Sequence, residues 1–276
     1  MADQLPRYAA VPLQRFVDNW QSDFRLLHLC MRGIGVLKGV PDLFEILIED
    51  CEPEEHKKLA SDLSEARKEA ELAEKERETG FPLLHAHALV GMWGALQAAI
   101  EDMLVGILLN EPELLKKKCF AKIKLPLAEF ETKDKDERMR FLLAELARNL
   151  GPKNGAAMFE GLLQHFDLAG KVADEDRKML WQAHHLRNVL VHRASLADRR
   201  LVQACPWLKL QVNEPVTISH EMLGHCGGAV CHYVLALARR LAKRYNFTIP
   251  APPATVLAAG DPQPSSSTDA AESPTE

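Results

Sequence analysis

Residues 86–107 read AHALVGMWGALQAAIEDMLVGI. Within them Leu89, Trp93, Leu96, Ile100, Met103 and Ile107 recur in steps of four and three. That is the helical period, and it draws one apolar stripe along a long helix. A stripe of this length needs other helices to cover it. The most apolar part, residues 86–100, is cut off by Glu101 and Asp102. Read that way it falls short of the roughly 20 residues a membrane span needs, so no membrane partner is expected.

Further helices follow from the chain on either side. KDERMRFLLAELARNLG (135–151) is closed by Gly151, and NGAAMFEGLLQHFDLAG (154–170) is a shorter one closed by Gly170. Asp174 is placed to cap a helix through RKMLWQAHHLRNVLVHR (177–193), with Glu175 and Asp176 in its first turn. Ser219 caps a last helix over residues 220–245. Between them, Leu208, Leu210 and Val212 alternate with Lys209 and Gln211 ahead of a turn at Asn213-Glu214-Pro215, which predicts a small β-hairpin. The fold class expected is mainly α: an up-and-down helical bundle over residues 81–248 with one small hairpin.

The flanks differ in character. Residues 1–80 read as a helical extension. WQSDFRLLHLCMRGIGVL (20–37) has a buried-helix pattern, and Pro41 sits at a helix start. Leu59, Leu63, Ala66, Ala70 and Ala73 form a short, mostly alanine seam at heptad spacing. That seam fits either a solvated helix with a weakly apolar face or a short coiled-coil contact. Residues 249–276 are rich in Pro, Ser, Ala and acid, the composition of a disordered tail.

The 276 residues carry a net charge of -5, which argues against a generic nucleic-acid coat but leaves room for a local basic site. The six cysteines include no C-x-x-C pair, and MADQLPRYAA at the start has no apolar signal region, so reduced thiols in a cytoplasm are expected. His225, Cys226, Cys231 and His232 suggest zinc. On a helix, however, the two cysteines lie about 140° apart and do not converge on one ion. RGIGVLKGV (32–40) lacks both the preceding strand and the glycine spacing of a dinucleotide loop.

The chemistry concentrates in RNVLVH (187–192). On a wheel of about 100° per residue, Met179, Ala183, Leu186 and Leu190 make the buried stripe. His184, His185, Asn188 and His192 lie opposite, with Trp181 a turn earlier and Arg187 at the margin. Asn188 and His192 are four apart, close enough to touch. Histidine moves protons near neutrality, and arginine holds phosphate oxygens in a planar fork.

RNVLVH resembles the R-polar-x-x-x-H motif of the HEPN superfamily, helical-bundle domains many of which are ribonucleases. The resemblance covers roughly residues 81–245: a motif late in a bundle helix, an acid (Glu101) in a long early helix, and a hairpin and final helix after it. It implies a metal-independent endoribonuclease without cofactors, a bacterial toxin or defence effector that cuts RNA through its own 2′-OH to a 2′,3′-cyclic phosphate. Arg187, Asn188 and His192 would be catalytic, with Glu101, His184, His185 and Arg193 supporting and no metal ligand. It also implies a homodimer sharing one cleft, and an antitoxin or other protein partner. One branch carries a tyrosine two residues after the histidine, where this chain has Ala194. Arg193, Arg199 and Arg200, or Lys116, Lys117, Lys118, Lys122 and Lys124, could guide an RNA backbone. The alternatives are a non-catalytic nucleotide- or RNA-binding HEPN adaptor, and a purely structural helical scaffold. Exposure of Arg187 and His192 favours the first two; burial of both favours the scaffold.

Overall fold

The computed structural model describes residues 5–52 and 54–248. The tail expected at 249–276 and the first four residues of the N-terminal extension lie outside them. Eleven α-helices occur among the described residues: α1 (Arg7–Leu37), α2 (Val40–Glu49), α3 (His56–Glu78), α4 (Pro82–Asn110), α5 (Lys118–Ala121), α6 (Leu127–Glu131), α7 (Lys135–Asn149), α8 (Ala156–Leu163), α9 (Asp174–His192), α10 (Arg199–Ala204) and α11 (His220–Arg244). Short 3₁₀ turns fall at Pro112–Lys116, Gln164–Phe166 and Pro206–Leu208.

α4 is the axle. It packs against α1, α7, α9 and α11. All six residues of its predicted stripe are buried, with Leu89, Leu96, Met103 and Ile107 at 0% exposure. Burying each such side chain is worth about 1.5–3 kcal/mol. Helices on several sides also explain why Met92, Ala99, Leu104, Val105 and Leu108 are buried off the stripe. Glu101 and Asp102 do not end the apolar stretch, since the helix continues to Asn110. By length and composition α4 is therefore long and apolar enough to cross a membrane, and the earlier reading of it as too short is corrected. More than half of its most apolar window is buried by neighbouring protein, as in a core helix.

The boundary expected after residue 80 does not separate two cores. Ala9, Leu13, Phe16 and Leu27 of α1 belong to the same hydrophobic cluster as α4 and α11. A close crossing fixes α1: a Cβ on Gly106 would lie 2.5 Å from the Tyr8 carbonyl oxygen, so only glycine admits this approach. The buried-helix pattern read over 20–37 holds only at Leu27, since Phe24 and Leu26 before it are exposed. Beyond it Leu29 and Val36 face outward at 62% and 70% exposure. α3 lies along α1 and α2, and Ala66 and Ala73 of its seam are buried there, giving an intramolecular helix contact.

Side-chain caps open three of the eleven described α-helices, α7, α10 and α11. Asp134 and Glu137 form a reciprocal capping box on α7. Ser219 Oγ accepts from Met222 N at 3.1 Å on α11. Asp174, expected as a cap, is instead the first helical residue of α9, where it joins Glu175 and Asp176 in complementing the helix dipole. α8 stops at Leu163, before Gly170, and passes through the 164–166 turn to Asp167 at a left-handed φ of 56°.

The predicted hairpin is absent: there is no strand among the described residues. Leu208 closes a 3₁₀ turn, and Lys209 and Asn213 both have positive φ, which breaks the two-residue alternation. The backbone of 213–216 pairs instead with the segment after α9. Asn213 N donates to Ala197 O at 2.8 Å, Ala197 N to Glu214 O at 2.9 Å, and Val216 N to Ser195 O at 2.7 Å. One isolated antiparallel bridge, Leu196 with Pro215, results.

Candidate functional site at the end of α9

α9 carries RNVLVH on its last turns, and the helix stops directly after His192. Ser195 N reaches back to Val189 O at 3.2 Å, with Ala194 and Ser195 both at positive φ. Two consecutive non-glycine residues in the left-handed region are costly, of order 1–3 kcal/mol each. The 195–197 bonds to 213–216 hold them there. The motif therefore ends on a pinned turn.

Along this turn runs a chain of polar contacts. Asn188 Nδ2 lies 3.0 Å from His184 Nε2. Arg187 Nη1 donates to Asn188 Oδ1 at 3.2 Å and lies 3.4 Å from His192 Nε2. A guanidinium only donates. As a hydrogen bond, the last contact thus requires the lone pair of His192 to sit on Nε2, with the ring proton on Nδ1. Asn188 does not touch His192 directly, as its four-residue spacing suggested; it reaches His192 through Arg187.

The wheel placed His184 and His185 on a wet face, and the structure corrects this. His185 is buried at 8% exposure and His184 is half-buried. His184 packs edge-on to Trp93 of α4 at 5.4 Å, and His185 lies 4.9 Å from Trp181. Burial, then the neighbouring His185 and Arg187, push the His184 imidazole down to about 4. Burial lowers His185 as well. Both rings are neutral near pH 7, so Asn188 can donate to His184 Nε2. Helix packing on two flanks causes the difference: the buried set of α9 is Leu180, Gln182, Ala183, His185, Leu186 and Val189. Trp181, also placed on the wet side, is half-buried and donates through Nε1 to Ala204 O at 3.0 Å.

His192 is exposed, while Arg187 is half-buried with Nε enclosed and unpartnered. Arg193, Arg199 and Arg200 are exposed beyond them. Glu101 does not join this group; its carboxylate is 3.7 Å from Arg140 of α7, which also binds Asp102 and Asp136 at 2.7 Å. Sequence reasoning gave Trp93 only a core role, although it forms the wall behind His184. Gln182 was passed over; it accepts from Trp207 Nε1 at 2.6 Å and so ties α9 to the 206–208 turn. A tryptophan and a glutamine inside an otherwise apolar register were the signals available.

Among the described residues no cluster of three or more His, Cys, Asp or Glu could hold a metal. Cys226 points into the core beside Gln182, whereas Cys231 is exposed and His232 pairs with Asp176 at 3.0 Å. RGIGVLKGV is the end of α1 and the turn into α2. Compared with protein-family models, curated proteins and solved structures, the chain matches none.

Proposed function

We propose that the chain is an endoribonuclease of HEPN type in which His192 transfers protons and Arg187 stabilises the phosphate in the transition state. The observation that carries this reading is the 3.4 Å contact between Arg187 Nη1 and His192 Nε2 on an accessible helix end. A base and a phosphate-binding fork within one contact of each other are what 2′-OH transesterification uses. The 2′-oxygen would attack phosphorus as a base removes its proton. The bond to the 5′-oxygen would break as an acid protonates that oxygen. The products are a 2′,3′-cyclic phosphate and a 5′-hydroxyl, and the step as written uses no metal or cofactor. His192 is a single motif histidine, so a second copy is the natural source of the second proton-transfer group. The partners of this reading are RNA, a second copy of the chain and an antitoxin or other protein, and its setting is a bacterial cytoplasm.

The adaptor reading, in which Arg187 and His192 only bind a nucleotide or RNA, draws on the enclosure of Asn188 and His184. Those side chains, half-buried like Arg187, orient one another, and His192 is the exposed polar group of the motif. The test is RNA cleavage by the purified chain in EDTA. Cyclic-phosphate ends should form, and DNA of the same sequence should stay intact. His192→Ala should lower the rate by a factor of about 10² to 10⁴. Arg187→Ala should act comparably, and Arg187→Lys should restore little because the planar fork is lost. Undiminished cleavage in both alanine variants would refute the assignment.

A further inference from the structure

A second polar feature lies away from the motif and shares no residue with it. The segment ELLKKKCFAKIK (113–124) carries five lysines and one acid in a chain whose net charge is -5. Folding gathers three of these lysines around one recess of about 520 Å³, formed by Lys117, Lys118 and Lys122 with Gln164 and His165. Lys117 is held in place: its Nζ donates to His165 O at 2.9 Å and to Asp167 Oδ2 at 2.8 Å. Asp167 is shared with Arg244 Nη1 at 3.7 Å, so its charge is already answered from two sides. Glu113 is taken by Lys116 at 2.6 Å. Lys118 and Lys122 have no ion pair among the described residues. The His165 ring in the wall is kept neutral by burial and by the charges of Lys117 and Lys153, and its Nε2 is enclosed without a partner. The recess therefore holds an excess of positive charge with no internal carboxylate left to balance it. A chain that is acidic as a whole concentrates cations in one concavity where an anionic partner would be drawn.

We infer that the recess between α5 and the 164–166 turn is a phosphate-binding site that holds the backbone of a single-stranded nucleic acid on Lys117, Lys118 and Lys122. Only the identity of the strand as RNA rests on the function proposed above; lysine contacts to phosphate read neither base nor sugar. Phe120, buried in the core between Lys118 and Lys122, fixes the short helix that presents them.

The experiment measures binding of a labelled single-stranded RNA 20-mer, and of the matching DNA, by the full chain carrying His192→Ala. Lys118→Gln/Lys122→Gln on that background should weaken both strands by about tenfold or more. The slope of log affinity against log salt should fall by about 1.4, since each single-strand phosphate contact contributes roughly 0.7. Lys118→Glu/Lys122→Glu should weaken both further, and far-UV circular dichroism verifies that each variant is folded. Inorganic phosphate at fixed ionic strength identifies the source. Displacement of the strand from the parent, lost in the glutamine pair, marks a pocket that also takes free phosphate; no displacement marks a surface that needs the polymer. Unchanged affinity and slope in the folded glutamine pair would overturn the site. So would occupation by polyglutamate and not by either strand, which would make the occupant an acidic protein. Strand binding lost in the pair while wild type cuts no RNA would keep the site and end the nuclease. Cleavage with binding unaltered in the pair would do the reverse.

Discussion

Asn188 divides its amide between two neighbours, accepting from Arg187 and facing a neutral His184. In the function proposed above it is a positioning residue, because the group it acts on is the Arg187 fork that in turn meets His192. Asn188→Asp keeps the acceptor toward Arg187 but puts a carboxylate 3.0 Å from where His184 now accepts a proton donor. A negative charge at that distance favours the imidazolium, so the His184 pKa should rise from about 4 by roughly 1–3 units. Histidine ring titration by NMR reads this directly, and an unmoved His184 would mean the two side chains do not meet in solution. Asn188→Ala leaves the polar atoms of both neighbours short of a partner and should destabilise the fold by about 1–3 kcal/mol in urea unfolding. At this scale the sequence was partly legible. Residue types and spacing singled out Arg187, Asn188 and His192. Which of them touch depends on side-chain packing such as that of His184 against Trp93, and linear spacing contains nothing about that. Glu101 illustrates the limit: a carboxylate on the right helix, turned toward Arg140 by a neighbour 39 positions later in the sequence.

Among the elements, α4 was the easiest to read because six apolar residues keep steps of four and three along it, all of them buried, whereas the buried positions off that stripe were not legible from the period. The hairpin was misread because three alternating apolar residues are too few to outweigh positive φ at Lys209 and Asn213. The segment's backbone groups found partners at residues 195–197 instead, a pairing between positions far enough apart that no local pattern encodes it. The depth of α9 was misread for a related reason. His184 and His185 look like surface residues until the fold packs them against Trp93 of α4 and Trp181. Two glycines of α4 make a test of how elements seat against each other. A Cβ at Gly106 would meet the Tyr8 backbone at 2.5 Å, whereas one at Gly94 meets nothing within 4 Å. Gly106→Ala should therefore displace α1 and cost about 1–3 kcal/mol as an overpacked contact. Gly94→Ala should stabilise by about 0.5–1 kcal/mol through helix propensity. Thermal or urea unfolding of the two variants checks this; equal effects of the same sign would mean that α1 does not cross α4 at Gly106.

For the molecule as a whole, cohesion runs from α1 to α11 through one hydrophobic cluster, so removing residues 1–80 should expose α4 and α11 and abolish cooperative melting of the remainder. A sharp transition in the truncated chain would restore the boundary drawn from composition, which registered the charge density of α3 but not the burial of Phe16. The same burial makes the fold sensitive to acid. His85, His165, His184 and His185 all have pKa values lowered from 6.5, each chiefly by burial. In the unfolded chain these rings return to about 6.5, so below that pH the unfolded state binds more protons than the folded one. Stability then rises with pH across this range: it is intact above about 6.5 and is lost progressively as pH falls, for His184 down to about 4. Carboxylates with depressed values, Glu74 and Asp167, add a loss of the same sign only at lower pH. Calorimetric Tm should therefore decline between pH 7 and pH 5, before ordinary carboxylates titrate. His184→Gln, which keeps an acceptor toward Asn188 but cannot take up a proton, should flatten that decline even if its Tm at pH 7.5 is lower. A Tm that stays level from pH 7 to pH 5, or a decline unaltered in His184→Gln, would show that the imidazole beside the motif is not buried in its neutral form.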